Sequence, residues 1–162
     1  MELVQFEEKY RRAFIDFNTD WIVTNFGKLE QHDLETFERI DDELRNGAMI
    51  FFAVENDISL ACCMSMPMEG DTWEICKLGS NKEISHKGAG SLVFKAAMEW
   101  AQEHGAKRLF ILSNSRLKPA LHIYEKHGFD GTVIPDHTPR LDAADFWETG
   151  MAFALGYMRG IM

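Results

Sequence analysis

The sequence predicts a single α/β domain over residues 1–162, and three observations carry that reading. Two stretches with apolar residues three and four apart precede a block of apolar strands, and two more helical stretches follow it. Turn pairs divide the block into three strands. No repeat, low-complexity tract or linker interrupts the chain, whose 162 residues suit one ordinary domain.

The elements follow in order. Leu3 to Phe6 reads as a short first strand. Tyr10, Phe14, Phe17 and Trp21 mark one face of a first helix. Residues 33–45 read as a second helix, capped by Asp33, striped by Leu34, Phe37, Ile40 and Leu44, and ended by Asn46-Gly47. Ala48 to Glu55 is nearly all apolar, as in a central strand. Asn56-Asp57 turns the chain into Ser59 to Pro67, and Glu69-Gly70-Asp71 turns it again into Thr72 to Leu78. A polar segment, Gly79 to Lys87, leads through Gly88-Ala89-Gly90 into a helix reaching His104, with Leu92, Val93, Ala96, Ala97 and Trp100 inward. Leu109 to Leu112 is a buried strand, and Pro119 to Lys126 a helix with Pro in its first turn. Phe129 to Ile134 and Phe146 to Leu155 are the last strands, joined by a loop containing Pro135 and Pro139.

Composition excludes several classes. The longest apolar run is about seven residues, far short of the ~20 of a membrane span. MELVQFEEKYRR has no apolar core of the secretory kind. The formal charge of −9 argues against a general nucleic-acid binder. Its distribution is uneven: residues 1–46 carry 12 acids and 6 bases, 47–76 carry five acids and no base, and 77–130 reverse to nine bases and five acids. That pattern fits one cationic and one anionic ligand, or a surface charged by chance. Cys62, Cys63 and Cys76 form no disulfide or metal pattern, and neighbours on a strand point to opposite faces, so reduced buried thiols and a cytoplasmic setting are expected. The six histidines form no HExxH or compact cluster, so no metal is expected. Ser113-Asn114-Ser115 is not a nucleophile elbow.

The strongest local signal is strand, polar loop, Gly88-Ala89-Gly90, helix. A helix start offers unpaired amides and a partial positive charge, and glycine lets an anion come close. Lys82 and Lys87 flank it, and Lys95 lies on the helix. A Walker loop would need Gly-Lys-Ser/Thr, and a dinucleotide turn a third glycine near Val93; both are missing. Taken alone, the feature is equally an ordinary tight turn.

It is not alone. Ser85-His86-Lys87-Gly88-Ala89-Gly90 resembles the Gln/Arg-x-x-Gly-x-Gly/Ala signature of the GNAT superfamily of acyl-CoA-dependent N-acetyltransferases, with Ser85 in the place of Gln or Arg. Residues 114–129, NSRLKPALHIYEKHGF, are similar to that family's second signature through Asn114, Ala120, Tyr124, Gly128 and Phe129. The resemblance is strongest over 72–130. FNTDWI, residues 17–22, resembles a stand-alone bacterial branch.

The resemblance implies a mostly antiparallel sheet of about 6–7 strands, splayed at its centre, with helices on both faces. It implies acetyl-CoA as co-substrate, with the pyrophosphate on Ser85, His86, Lys87, Gly88, Ala89, Gly90 and Ser91, and the pantetheine arm along Leu78, Gly79 and Ser80. Acetyl transfer to an amine needs a held thioester, a neutral amine and a protonated leaving thiolate. An amine of pKa ~10.4 is neutral in about one molecule in a thousand near neutral pH, a cost of ~4 kcal/mol. Glu74, at a position where some members keep a general base, is the candidate base, and burial raises such a carboxyl toward a working pKa. Tyr124, which the resemblance sets near the sulfur, is the candidate acid. Both residues also have ordinary readings, a solvated strand glutamate and a packed helix tyrosine. Asn114 suits either the pantetheine arm and substrate or a helix cap. Trp21 and Phe26 could line the acceptor pocket or belong to the core with Phe14 and Phe17.

The acidic first half would form one wall for a cationic acceptor: a small amine or a peptide N-terminus. The apolar tail GMAFALGYMRGIM allows a homodimer contact. Two other readings stay open: a non-catalytic acyl-CoA-binding or regulatory module, favoured by Ser85, and a different small α/β enzyme using another phosphate-bearing ligand.

Overall fold

A computed structural model describes residues 1–113, 117–133 and 151–155, with 130–133 and 151–155 described through their backbone. β1 (Glu2–Gln5) leads through a 3-10 turn, Glu8–Tyr10, into α1 (Arg11–Phe26). The helix runs a turn beyond its predicted stripe and stops at Gly27, whose φ of 88° is left-handed and whose N–H meets the Val23 carbonyl at 2.8 Å.

The single helix expected over 33–45 is two: α2 (Gln31–Glu38) and α3 (Ile40–Arg45), broken at Arg39. Asp33 is not the cap. Glu30 caps α2, and its backbone N–H donates to Asp33 Oδ2 at 2.9 Å, closing a reciprocal box. The helix therefore starts earlier than predicted, and Asp33 turns inward at 0% exposure while Leu34 stays 42% exposed.

β2 (Met49–Glu55) and β3 (Ile58–Pro67) form a hairpin through Asn56 and Asp57, both at positive φ (51° and 64°), as a tight hairpin turn demands. β4 (Thr72–Ser80) follows, then α4 (Ala89–Glu103), β5 (Arg108–Leu112), α5 (Lys118–Lys126), β6 (Asp130–Val133) and β7 (Met151–Leu155). β7 is described from Met151 on; residues 134–150, with Pro135, Pro139 and the expected strand start at Phe146, lie outside the described residues.

The sheet order is β1-β2-β3-β4-β5-β7-β6. The first three pairings are antiparallel and the other three parallel, so the sheet is mixed, not mostly antiparallel. The reason is topological. α4 is a crossover that returns the chain to the same end of the sheet, which forces β5 parallel to β4.

Helices cover both faces. Tyr10, Phe14, Phe17 and Ile40 pack with Ile50, Phe52, Cys62 and Met64 on one face. Val93, Phe94, Ala97 and Tyr124 pack with Phe51, Cys63, Trp73 and Ile75 on the other. Cys62 and Cys63 thus enter different cores, as strand alternation requires. Each fully buried ring, such as Phe14, Phe52 and Phe94, contributes about 1.5–3 kcal/mol.

Candidate active site

The site begins where β4 and β5 part. Their ladder has three rungs, Thr72–Arg108, Trp73–Leu109 and Glu74–Phe110. β4 continues to Ser80 and β5 to Leu112 with no further rung between them. A cleft of about 480 Å³ opens along these parting strands, lined by Cys76 to Ser80 of β4 and by Ile111 and Leu112 of β5.

A bulge shapes its floor. Cys62 pairs with Gly79 and Met64 with Cys76, so Lys77 and Leu78 together face Cys63. Lys77 sits at φ 54°, a conformation costing an ordinary residue about 1–2 kcal/mol. The extra residue lets Cys76 and Lys77 both turn toward α1 and α2, while Leu78 packs on the α4 side. Lys77 Nζ then lies 2.9 Å from Asp33 Oδ1, with the two side chains 9% and 0% exposed. His32 Nε2 is 3.4 Å from the same oxygen. α2 is thereby tied to β4 at the cleft wall, and His32 and Thr36 join the lining.

Gly79 explains how α1 comes so near. A Cβ there would stand 3.1 Å from Phe17 Cβ and 3.2 Å from Asn18 Oδ1. The buried Asn18 donates to the Phe14 carbonyl at 2.9 Å and accepts from the Trp21 indole at 2.8 Å. Trp21 is held in this way on the cleft wall.

The other end of the cleft reaches Gly90, in the first turn of α4. Gly88 stands before that turn at φ 91°. The Ala89 N–H meets the His86 carbonyl at 3.2 Å and that of Leu92 the Gly88 carbonyl at 3.0 Å. The amides of Gly90 and Ser91 have no backbone acceptor among the described residues. The first turn holds no acid, and Lys126 Nζ lies 3.5 Å from Ser91 Oγ. This helix start is chemically suited to phosphate, and no described side chain fills the space a Gly88 Cβ would enter.

Glu74 and Tyr124 both line the cleft. Trp73 and Ile75 belong to the α4-side core, so Glu74 faces the α1 side; Tyr124 comes from the α4-side core. The two thus reach the same cleft from opposite faces of the sheet. Glu74 is 5% and Tyr124 6% exposed. Burial pushes the Tyr124 phenol well above its ordinary range, and the Cys63 sulfur adds to this while the Ser113 hydroxyl opposes it. The phenol keeps its proton throughout the neutral range.

The predicted site residues therefore divide. Trp21, Glu74, Leu78, Gly79, Ser80, Gly90 and Tyr124 share the cleft. Ser85, His86, Lys87 and Gly88 are exposed just before α4 and, with Ala89 and Ser91, stand outside the lining. Phe26 is also outside it, packed edge-on against Trp21 with centroids 6.4 Å apart. Asn114 lies outside the described residues. Sequence reasoning missed Asp20, His32, Thr36, Met66, Cys76 and Lys77, and it reads Asp33 as a cap in the acidic first half, not as the buried partner of Lys77. The Glu30–Asp33 spacing was the one local sign of the α2 start; the reach from Asp33 to Lys77 spans 44 residues and leaves no local signal.

Among the described residues no group of three or more His, Cys, Asp or Glu could hold a metal ion, and no helix is long and apolar enough to cross a membrane.

Solved structures share the architecture. An acetyltransferase of GNAT family from Staphylococcus aureus Mu50 superposes with a TM-score of 0.73 at 16% identity, covering 87% of this chain and 92% of that one. A predicted acetyltransferase with acetyl-CoA from Clostridium acetobutylicum gives 0.64 at 13%, covering 89% and 97%. The PaiA N-acetyltransferase of Thermoplasma acidophilum in complex with coenzyme A gives 0.64 at 14%, covering 85% and 94%. No curated protein matches the chain in sequence. The model of the acetyltransferase (GNAT) family matches residues 8–129, three quarters of the chain and every strand and helix of the cleft. The chain belongs to the GNAT acetyltransferase family.

Proposed function

We propose that residues 1–162 form one N-acetyltransferase domain that moves an acetyl group from acetyl-CoA to a primary amine of a small molecule or peptide. The observation that carries this reading is the convergence of Glu74, Tyr124 and Gly90 on one cleft at the parting of β4 and β5. Acetyl-CoA supplies an activated thioester carbon. The amides at Gly90 and Ser91 fit its diphosphate, and the β4 edge from Leu78 to Ser80 fits its pantetheine amides. Exposed Ser85, His86 and Lys87 would contribute at the open side of that helix start.

Glu74 takes the proton of the incoming ammonium, directly or through a water. The neutral nitrogen forms the C–N bond as the C–S bond breaks. Tyr124 donates a hydrogen bond to the departing sulfur. Its raised pKa refines the expected role: complete transfer would leave a phenolate in an apolar core, so the thiolate finally takes the second proton, the one the nitrogen sheds as it becomes an amide, while the ammonium proton passes from Glu74 to solvent. No covalent enzyme intermediate is needed. Trp21 and the α2 wall would receive the acceptor.

The test is calorimetry with coenzyme A beside a thiol-release assay over a panel of amines. Binding with thiol release on at least one amine supports transfer. Binding with no release on any amine supports the non-catalytic reading, and absence of binding excludes both.

A further inference from the structure

An ion pair stands in the lining of the cleft, where α1 meets the end of β4. Asp20, on α1, and Lys82, on the loop after β4, both line it, with Lys82 Nζ 3.4 Å from Asp20 Oδ1. The lining holds two acids among the described residues, Asp20 and Glu74, and two lysines, Lys77 and Lys82. Lys77 is buried against Asp33, with its side chain 9% exposed. Lys82 is 65% exposed, so it is the lysine of the cleft with room to move.

Its backbone is fixed while its side chain is not. The Asn81 side chain accepts the amides of Glu83 at 2.9 Å and Ile84 at 3.2 Å and donates to the Ser59 carbonyl at 3.2 Å. The Asn81 N–H is bound to the Leu60 carbonyl at 2.9 Å. Asp20 is equally anchored, two residues past Asn18 where α1 presses on Gly79. A change of partner thus needs only rotation of the Lys82 side chain. An exposed pair of this kind is weak, so the phosphates of a bound ligand compete with a single carboxylate for the lysine.

We propose that Lys82 is a phosphate-binding residue of the donor site, held by Asp20 in the ligand-free protein and transferred to a phosphate of coenzyme A on binding. Asp20 is then an inhibitory partner for donor binding. Once released, its carboxylate stands uncompensated beside Trp21 and draws a cationic acceptor, so the exchange links the two ligands through one side chain. The inference rests on the acetyl-CoA reading above.

The experiment is titration calorimetry of coenzyme A at low salt into wild type, Asp20→Asn, Lys82→Ala and the double variant, repeated with pantetheine, which lacks phosphate. Asp20→Asn is expected to tighten coenzyme A binding about two- to five-fold, the range of an exposed salt bridge. Lys82→Ala is expected to weaken it about five- to ten-fold. The double variant should bind like Lys82→Ala, and pantetheine should be indifferent to both changes. The proposal is overturned if Asp20→Asn leaves coenzyme A binding unchanged or weaker. It is equally overturned if Asp20→Asn tightens binding as much without Lys82, since that is a general charge effect. Wild type that fails to bind coenzyme A at all removes the donor reading itself, before any variant is compared.

Discussion

The two ends of the cleft are built by different means. At the α4 end, the contacts offered to a ligand are backbone amides after Gly88, and their geometry comes from a few consecutive residues. At the α1–α2 end, the wall depends on side chains far apart in the chain: Asp33 with Lys77, Asn18 with Trp21, Phe17 against Gly79. A backbone site tolerates many neighbouring side chains. A side-chain wall is set by each residue in it, and it is the part free to differ with the acceptor.

The largest effect that would sharpen this contrast is on the buried pair. Lys77→Met leaves Asp33, 0% exposed, without its cation and should cost about 3–5 kcal/mol in urea unfolding. The double variant Lys77→Met with Asp33→Leu should recover most of that loss. Coenzyme A affinity in the folded Lys77→Met protein should stay within a few-fold of wild type; a large loss would mean the two ends are not separable.

Glu74→Gln should lower kcat about 10²- to 10³-fold, and the deficit should shrink as pH rises toward the pKa of the acceptor amine, because solution then supplies the neutral form. Tyr124→Phe should lower kcat about 10-fold with little change in coenzyme A affinity, since the phenol acts on the departing sulfur. Equal kcat in both variants and wild type would break the assignment of chemistry to the middle of the cleft. Gly88→Ala places a side chain at φ 91°, costs about 1–2 kcal/mol, and should weaken coenzyme A binding several-fold while sparing the α2 wall.

The smallest effect is invisible near neutrality. Burial pushes the Cys62 thiol from 9.0 up to about 12. The unfolded chain therefore ionises first, and the stability this group contributes is complete below pH 9 and lost as pH climbs toward 12. The unfolding free energy should fall over that window by up to about 1.4 kcal/mol per pH unit for this thiol, and Cys62→Ala should flatten the slope.

What could be read beforehand follows the same division. The Gly88 turn, the Asn56-Asp57 hairpin and the apolar strands Met49–Glu55 and Ile58–Pro67 are local patterns, and each appears where residue chemistry puts it. Glu74 and Tyr124 stand out only through the family resemblance; residue patterns alone leave each with an ordinary reading. The inward turn of Asp33 was not, because a stripe of Leu34, Phe37, Ile40 and Leu44 is a better burial pattern until Lys77 arrives from 44 residues away. The bulge that aims Lys77 is not legible in the chain, because a positive φ at lysine has no sequence signal. Parallel pairing beyond β4 depends on crossovers, which apolar periodicity does not report.

Trp21 carries a practical corollary. Trp73 is packed in the core and Trp100 is bonded to the Gly47 carbonyl, so among the described tryptophans only the Trp21 indole borders the cleft. Its emission should report occupancy at the α1–α2 end directly, and a donor phosphate only through the charge on neighbouring Asp20. Unlabelled protein can therefore be screened against amines by fluorescence alone, and the colour of one ring would distinguish an acceptor from a donor analogue.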